Sequence, residues 1–432
     1  MDKVHFKKTR NYALFILVLV YTFNFIDRQI LSILLESIKD ELQVTDQALG
    51  FLSGFAFAAF YATLGIPIAV WADRGNRKNL ISLALFIWSI MTALSGLAQN
   101  FVQLALARIG VAIGEAGGSP PAHSLISDYF PSTERATALG IYALGIPFGV
   151  MFGLFLGGWI NENFGWRAAF FIVGIPGIVL ALIVRFTLTE PKRGQSDTET
   201  IKNTVDTKPS LKETLAFLMA KRSFIEISIA SSLAAFTGYG VISWYPSFLI
   251  RSHNLGTAEI GLIVGLIIGL IGGIGMYAGG KFADALGSKN PAWYMWTPAL
   301  IILLSVPFAV LGYVVDNLTL VLLLFIVPTF ASNFWQATSF AQAQSMSELR
   351  MRSTASALLI FFMNIVGLGF GPWAVGLLSD FLNPRFGAES LRWSLCILSI
   401  VNLWAAFHFY LAGKYLKNDL PLEQITLHEK QE

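Results

Sequence analysis

Apolar runs of about twenty residues or more recur along almost the whole of this 432-residue chain and limit what it can fold into. A helix that crosses a bilayer needs about 20 apolar residues, whereas a membrane barrel strand needs about ten with alternating polarity. Charged residues make up 13% of the chain, against about 25% in soluble proteins. The runs therefore predict an all-α membrane protein.

We predict twelve transmembrane helices from these runs. They lie at approximately 11–35, 47–72, 79–98, 101–127, 133–160, 166–188, 223–250, 258–282, 291–314, 318–345, 353–381 and 392–412. The first run is too long for the core of a signal peptide and lacks a small-residue cleavage site, so we expect it to remain as a helix. The single cysteine, Cys396, excludes an internal disulfide framework.

The charges between the runs predict the orientation. Positive charge collects on the cytoplasmic side of a membrane protein. The N-terminal tail is basic, and the connection after the second span carries Arg74, Arg77 and Lys78. The connection after the first span is mostly acidic. We therefore expect both termini in the cytoplasm, which agrees with an even number of spans.

A polar segment divides the chain into two halves. Residues 189–222 are charged and poor in aromatic residues, as is typical of a cytoplasmic linker, and 211–219 has the apolar spacing of a short helix on the membrane surface. We therefore predict an N-terminal six-helix bundle at 1–188, and a C-terminal six-helix bundle with a cytoplasmic tail at 223–432.

Two motifs recur in both halves at nearly one offset. AVWADRGNRK at 69–78 matches GKFADALGSK at 280–289, with Asp73 and Asp284 standing 211 residues apart. PSTERATALG matches SELRMRSTASAL and places two arginines 217 residues apart. These offsets indicate an internal duplication in parallel orientation. We expect the motif residues to form a cytoplasmic gate: Asp73, Arg74, Arg77, Lys78, Arg135, Gly280, Asp284, Gly287, Lys289 and Arg352.

Glycines recur every four residues in the fifth and eighth spans. They are Gly145, Gly149, Gly153 and Gly157, and Gly261, Gly265, Gly269 and Gly273. Such stripes let helix backbones approach closely in lipid. The stripes allow two interpretations: general helix packing, or a fifth and an eighth span that face each other at the junction between the two bundles and slide during transport.

Charged side chains inside two predicted spans are the strongest indication of function. The first span contains Asn24, Asp27 and Arg28, and the fourth contains Arg108 and Glu115 two helical turns apart. A charge at mid-bilayer costs about 3 kcal/mol or more, so such residues usually face a wet cavity or a partner. We expect pairs of Arg28 with Glu115 and of Arg108 with Asp27. A static ion network is the alternative, but the weak net stability of buried pairs favours a switch.

The second half offers neutral polar groups and aromatic rings. The cavity candidates are Phe236, Tyr239, Trp244, Tyr245, Asn333, Trp335, Gln336 and Asn364. A cavity with charge from one half and these groups from the other predicts a small amphipathic substrate with an anionic or zwitterionic head and an apolar tail. We expect Glu226 at the membrane interface, and His408 as a hydrogen-bonded packing residue rather than a proton site.

Several classes of protein are excluded or disfavoured. The chain has no G-x-x-x-x-G-K-[ST] motif, and His123 lacks a second histidine at a metal-ligand spacing. The basic residues lie in short clusters between apolar runs and not along a solvated face, which argues against nucleic-acid binding. We expect no enzyme and no metal or organic cofactor. A substrate-gated receptor or channel is the alternative class, but the sparse polarity of the second half argues against a continuous pore.

These features resemble the major facilitator superfamily. Two six-span repeats with ADRGNRK and ADALGSK at matching turns are typical of it, although Ala69 stands where glycine is common and Gly75 and Asn76 are in inverted order. Within that superfamily, FNFIDRQILS and RIGVAIGEAGGSPPAHSLISDYFP are similar to the spinster branch, which has an Asp-Arg pair in the first span and a Gly-Glu-Ala in the fourth.

The resemblance implies a fold, a mechanism and a substrate class. It implies proton coupling by Asp27 and Glu115, with Arg28 and Arg108 as electrostatic partners or ligands of an anionic head group. It also implies secondary active transport by alternating access, driven by the proton gradient, of a lysolipid or sphingoid phosphate. Related bacterial transporters share much of the pattern, so a small organic anion or drug is the alternative substrate. We expect a monomer, surrounded by lipid, in a bacterial inner (plasma) membrane.

Overall fold

The computed structural model describes residues 3–196, 210–348 and 351–420, without the side chains at 3–8, 66, 69, 70, 72–74, 132, 133, 136 and 353. Within these ranges the regular structure is helical and no strand occurs. Part of the predicted linker, 197–209, and most of the predicted cytoplasmic tail, 421–432, lie outside the described residues.

The helices follow the apolar runs of the sequence. The first eight are α1 (Lys3–Leu42), α2 (Asp46–Ser53), α3 (Phe55–Arg74), α4 (Arg77–Ser95), α5 (Phe101–Glu115), α6 (Ser119–Tyr129), α7 (Ser132–Ala143) and α8 (Gly145–Thr187). The next ten are α9 (Leu211–Met219), α10 (Arg222–His253), α11 (Thr257–Leu266), α12 (Gly272–Gly287), α13 (Trp293–Val314), α14 (Leu318–Phe334), α15 (Gln336–Ser345), α16 (Arg352–Phe362), α17 (Gly371–Phe386) and α18 (Ser390–Asp419). Two π-helical segments, Ile267–Ile271 and Met363–Phe370, join α11 to α12 and α16 to α17.

Ten stretches among the described residues are long and apolar enough to cross a membrane. Two of them, Thr137–Thr187 with 51 residues and Thr354–Asp419 with 66, are more than twice the length of about 20 residues that one crossing needs. Each is interrupted by a glycine with positive φ, 81° at Gly165 and 56° at Gly387. The ten stretches therefore accommodate the twelve predicted spans, and the predicted all-α membrane class is confirmed.

The chain forms two compact units. The first contains Met1–Thr45, Ala56–Val205 and Leu255–Leu266, and the second contains Asp46–Phe55, Asp206–Asn254 and Ile267–Glu432. Each sequence half therefore gives one helix to the unit built mainly by the other half. Helix α11 packs in the first unit, and α2 packs in the second.

In the first unit, α11 lies closely against the middle of α8. A Cβ atom at Gly158 would collide with the Thr257 backbone, and one at Gly261 would collide with the α8 backbone. The carboxylate of Glu162 accepts a hydrogen bond of 2.8 Å from the Ala258 amide at the start of α11. Close packing and a helix cap therefore fix α11 to α8.

In the second unit, α2 lies against α17 by the same means. A Cβ atom at Gly376 would collide with the Asp46 backbone, and one at Gly50 would collide with the α17 backbone. The Asp380 carboxylate accepts hydrogen bonds from the amides of Asp46 at 3.2 Å and Gln47 at 2.7 Å. The first turn of α2 is therefore capped by a carboxylate from its neighbour.

The two junctions are copies of each other in sequence as well as in geometry. Gly261 stands 211 residues after Gly50, the same offset as that between Asp73 and Asp284. Gly376 and Asp380 each stand 218 residues after their counterparts in α8. These matched positions at the two junctions agree with the internal repeat.

The glycine stripes have different roles from one another. Added Cβ atoms at Gly145, Gly149, Gly153 and Gly157 would all meet α1, so the stripe of the fifth span packs within its own half. Gly158, one residue beyond the stripe, faces α11. Gly261 and Gly265 of the eighth-span stripe pack against α8. The fifth and eighth spans therefore face each other, as one of the two interpretations expected, while helical rotation of about 100° per residue turns the α8 stripe itself toward α1.

Candidate functional site

A break between α5 and α6 places the first candidate carboxylate, Glu115. Helix α5 ends at Glu115, the Gly117–Gly118 pair follows, and α6 begins at Ser119 with proline in its first turn. Proline is favoured at the start of a helix and cannot continue α5 across the break. A Cβ atom at Gly114 would collide with Trp88, so α5 approaches α4 closely at this point. The local sequence therefore holds Glu115 at a helix end inside the first unit.

Arg28 of α1 forms an ion pair with Glu115. Its Nε atom lies 2.6 Å from Oε2 of the carboxylate, which is fully buried. The guanidinium group also lies over the rings of Phe25, Phe57 and Tyr61, at 5.2, 5.0 and 4.7 Å from their centroids. Three aromatic faces and one carboxylate thus surround the cation, and each contact favours its charged form. The structure brings this predicted pair together.

Asp27 and Arg108 meet in a different way from the one expected. Their exposed fractions are 1% and 3%, but Arg108 Nη2 donates to the backbone oxygen of Asp27, at 3.1 Å. Among the described residues, Asp27 Oδ1 and the Nε and Nη1 atoms of Arg108 have no hydrogen-bond partner. The expected contact between the two side chains is replaced by one to the main chain. Asn24 is also buried and faces the Glu115 carboxylate.

Three of the cavity candidates lie in the packed interior of the second unit. Trp244 Nε1 donates to the Pro372 carbonyl at 2.9 Å. Tyr245 stacks on Phe325 with a centroid distance of 3.7 Å, and Trp335 is buried in the main apolar core of this unit. These rings are packing residues in this structure, so they do not enter the site proposed below.

The other five cavity candidates are partly exposed. Phe236 and Tyr239 lie on α10, and Asn364 lies in the second π-helical segment. Gln336 Nε2 donates to Asn333 Oδ1 at 3.3 Å. Asn333 also lies beside the first residue of α12, directly after the first π-helical segment. Because π-helical turns are frequent at functional sites, they mark this part of the second unit as a candidate substrate surface.

Arg77 is the centre of the predicted gate in the first unit. It is buried, and its guanidinium donates to Asp128, to Glu190 at 2.8 Å and to the Pro191 carbonyl at 3.1 Å. The amide of Lys78 donates to the second Glu190 oxygen at 2.9 Å. The network thus joins α4, α6 and the segment after α8. Asp128 and Glu190 were not among the predicted residues, since one resembles a helix cap and the other resembles a linker charge.

The remaining gate residues are less closely connected. Arg135 donates to the Ser127 carbonyl at 2.7 Å, while the side chains of Asp73 and Arg74 lie outside the described part of the chain. In the second unit, Asp284 and Lys289 are exposed and Gly280 and Arg352 are partly exposed, whereas Gly287 packs against Tyr294. No ion pair joins the described side chains of Asp284 and Arg352.

Glu226 and His408 form a second buried contact. Glu226, near the start of α10, is 3% exposed, so its side chain is covered by the protein. Its carboxylate lies 2.6 Å from Nδ1 of His408 and accepts from Arg222 Nε at 3.0 Å. His408 therefore ties α18 to α10 as a hydrogen-bonded packing residue. Among the described residues, no group of three or more metal-ligating side chains comes together.

The structure combines long apolar helices, two units with matched junctions, and buried charges on α1 and α5. These features define a multi-pass membrane transport protein. The chain belongs to the Major Facilitator Superfamily, whose sequence pattern matches residues 17–372. Its family and fold are those of transporters rather than enzymes.

Three similar proteins refine this placement. An "MFS-type efflux pump" of Mycolicibacterium smegmatis is 33% identical over 413 residues, covering 94% of each chain. The sphingosine-1-phosphate transporter SPNS2 of Danio rerio is 26% identical over 409 residues, covering 91% of this chain and 80% of that protein. The crystal structure of a bacterial homologue of the human lysosomal transporter spinster, inward-facing and unoccupied, superposes with a TM-score of 0.89 and 31% identity, covering 96% and 98% of the two chains. The predicted resemblance to the spinster branch is confirmed.

Proposed function

We propose that this transporter is a proton-coupled secondary active transporter that works by alternating access, with Asp27 and Glu115 as the proton-binding groups. The observation that carries the proposal is the burial of both carboxylates among two arginines on α1 and α5. Proton binding by a carboxylate responds to its hydration and to nearby cations. Any movement of α1 against α5 therefore changes the proton affinity of both groups.

Glu115 links proton binding to the state of Arg28. The 2.6 Å ion pair satisfies the cation as long as Glu115 is ionised. Protonation of Glu115 removes that charge, and another anion can then take the place of the carboxylate beside the guanidinium. A substrate with an anionic head supplies one. Arg108, with two buried donor atoms lacking partners among the described residues, offers a second contact to the same head group.

The substrate we propose is a lysophospholipid or a sphingoid phosphate. Arg28 and Arg108 bind the phosphate of its head group. The sphingosine-1-phosphate transporter among the similar proteins supports this class. The efflux pump, at 33% identity, supports the second candidate, a drug or small organic anion. We further propose a monomer without organic cofactor, in a bacterial inner membrane with both termini in the cytoplasm.

The test uses the purified protein in liposomes with an imposed pH gradient. We expect movement of a radiolabelled lysophospholipid to depend on the gradient, and glycerophosphate, which has no tail, to compete poorly. Asp27→Asn and Glu115→Gln keep the shape of each side chain, and each should abolish the gradient dependence. Asp316→Asn, an exposed carboxylate in the second unit, is the matched control. Flux that ignores the gradient overturns coupling, and tight binding of glycerophosphate without affinity for lysophospholipid favours the second candidate.

A further inference from the structure

Helix α4 presents two polar side chains to the Asp27 carboxyl group. Trp88 and Thr92 are four residues apart and therefore lie on one face of α4. Both have an exposed fraction of 0%, and both face Asp27. The function proposed above assigns a role to neither residue. Both are uncharged, so neither stands out from the apolar run that surrounds it in the sequence.

The polar atoms at this contact lie close to one another but outside strict hydrogen-bond geometry. Among the described residues, Trp88 Nε1, Thr92 Oγ1 and Asp27 Oδ1 are buried without a hydrogen-bond partner. More than nine in ten buried polar groups in proteins have such a partner, and the Asp27 carboxyl group is within reach of both α4 side chains. Two of these atoms are donors and the third is an acceptor when Asp27 is ionised. An ionised Asp27 can therefore accept from both α4 side chains.

The two side chains respond differently to the proton on Asp27. The indole Nε1–H of Trp88 only donates, so it can bind only a carboxylate oxygen that accepts. The hydroxyl group of Thr92 donates to an ionised carboxylate and accepts from a protonated one. The charged groups that face the same carboxyl are Glu115 and Arg108, both on α5. Charge therefore approaches Asp27 from α5 and neutral hydrogen-bonding groups approach it from α4.

We propose that Trp88 and Thr92 are positioning residues for Asp27, which hold its carboxyl group against α4 and set the pH at which it exchanges its proton. This inference rests on the proposed function, because it assigns the surroundings of a carboxylate that the proposed function uses. It adds a helix, α4, to the coupling site formed by α1 and α5.

The test is an infrared pH titration of the purified protein without substrate. The carboxyl stretching signal that disappears in Asp27→Asn is followed in each variant. In Trp88→Phe we expect its midpoint to rise by about one pH unit, the shift produced by losing one hydrogen bond to a charged group. Trp404→Phe, an exposed tryptophan on α18, should leave the midpoint unchanged.

Thr92 supplies the second variant pair. Thr92→Val removes the hydroxyl group at nearly constant volume and should move the midpoint, whereas Thr92→Ser should restore the wild-type value. If Trp88→Phe does not fold, the two Thr92 variants test the inference without it. Wild-type midpoints in Thr92→Val and in every folded Trp88→Phe sample overturn the inference while Asp27 remains the proton site. A signal that is unchanged in Asp27→Asn instead overturns the proposed function.

Discussion

At the scale of single residues, Arg77 shows why an arginine is required where a lysine carries the same charge. Its planar fork reaches two carboxylates and a carbonyl group that belong to different segments. A lysine is a compact point charge and cannot make the same set of contacts. The fork therefore fixes the start of α4 to the end of α6 and to the segment after α8.

We predict that Arg77→Lys lowers the thermal stability of the detergent-solubilised protein. The loss of two charge-assisted hydrogen bonds corresponds to about 3 kcal/mol or more. Lys78→Ala is the control, because Lys78 reaches Glu190 through its backbone amide, which the substitution keeps. Equal melting temperatures for Arg77→Lys and the wild type would show that the network adds no stability.

The site residues that could be predicted from the sequence are those whose charge differs from the apolar residues around them. Asp27, Arg28, Arg108 and Glu115 stand out because charge is costly inside an apolar run. Asp128 and Glu190 do not stand out, because each occupies a position where a carboxylate is common. Their role depends on a fold that brings three distant segments to one guanidinium group, and spacing along the chain does not contain that information.

At the scale of helices, the carboxylate-capped junctions explain which glycines cannot change. Gly158 and Gly376 let a backbone carbonyl of the neighbouring helix approach to a distance that any Cβ atom forbids. By contrast, an added Cβ atom at Gly140 on α7 would meet nothing within 4 Å. The difference between these glycines lies in their neighbours, since all three belong to helices.

We predict that Gly158→Leu separates α11 from α8. The probe is a cysteine at the fully buried Ile260 of α11, in a Cys396→Ala background that removes the natural cysteine. Maleimide should label this cysteine at least tenfold faster in Gly158→Leu than in the parent, because the leucine side chain forces the helices apart. Gly140→Leu is the control, and equal labelling rates in both variants would contradict the packing role of Gly158.

The order of the helices could be predicted better than their interruptions. Hydropathy predicts each span, because a run of about 20 apolar residues has one stable arrangement in lipid. The break between α2 and α3 and the two π-helical segments were not predicted. A π-helical turn changes the backbone hydrogen bonds without changing composition, so hydropathy does not detect it.

At the scale of the whole molecule, the internal repeat accounts for the positions of the helix junctions as well as for the fold class. The offsets of 211 and 217 residues between the loop motifs predict a duplication, and the offsets of 211 and 218 at the junctions agree with it. The packing of α11 on α8 agrees with one interpretation of the glycine stripes, whereas the packing of α2 on α17 was not predicted. Hydropathy assigns a helix to a span but does not say which neighbouring helix it packs against.

The exchange of helices predicts that the two halves remain associated when the chain is cut. A chain break between residues 197 and 209 leaves α2 in the first fragment and α11 in the second. Each helix then still packs against the other fragment, α2 on α17 and α11 on α8, through glycine contacts and a carboxylate cap. We predict that the coexpressed fragments copurify in mild detergent when only the first carries an affinity tag.

Substitutions at the two carboxylate caps test this prediction further. Glu162→Gln together with Asp380→Asn keeps both side-chain shapes but removes the negative charge that faces each helix N-terminus, where it stabilises the helix by about 0.3–1 kcal/mol. The double variant should therefore lower the recovery of the untagged fragment, by about twofold or more. Asp316→Asn with Glu134→Gln, two exposed carboxylates away from the junctions, should leave that recovery unchanged. Recovery that is the same in both double variants would mean that the carboxylate caps do not help to hold the fragments together.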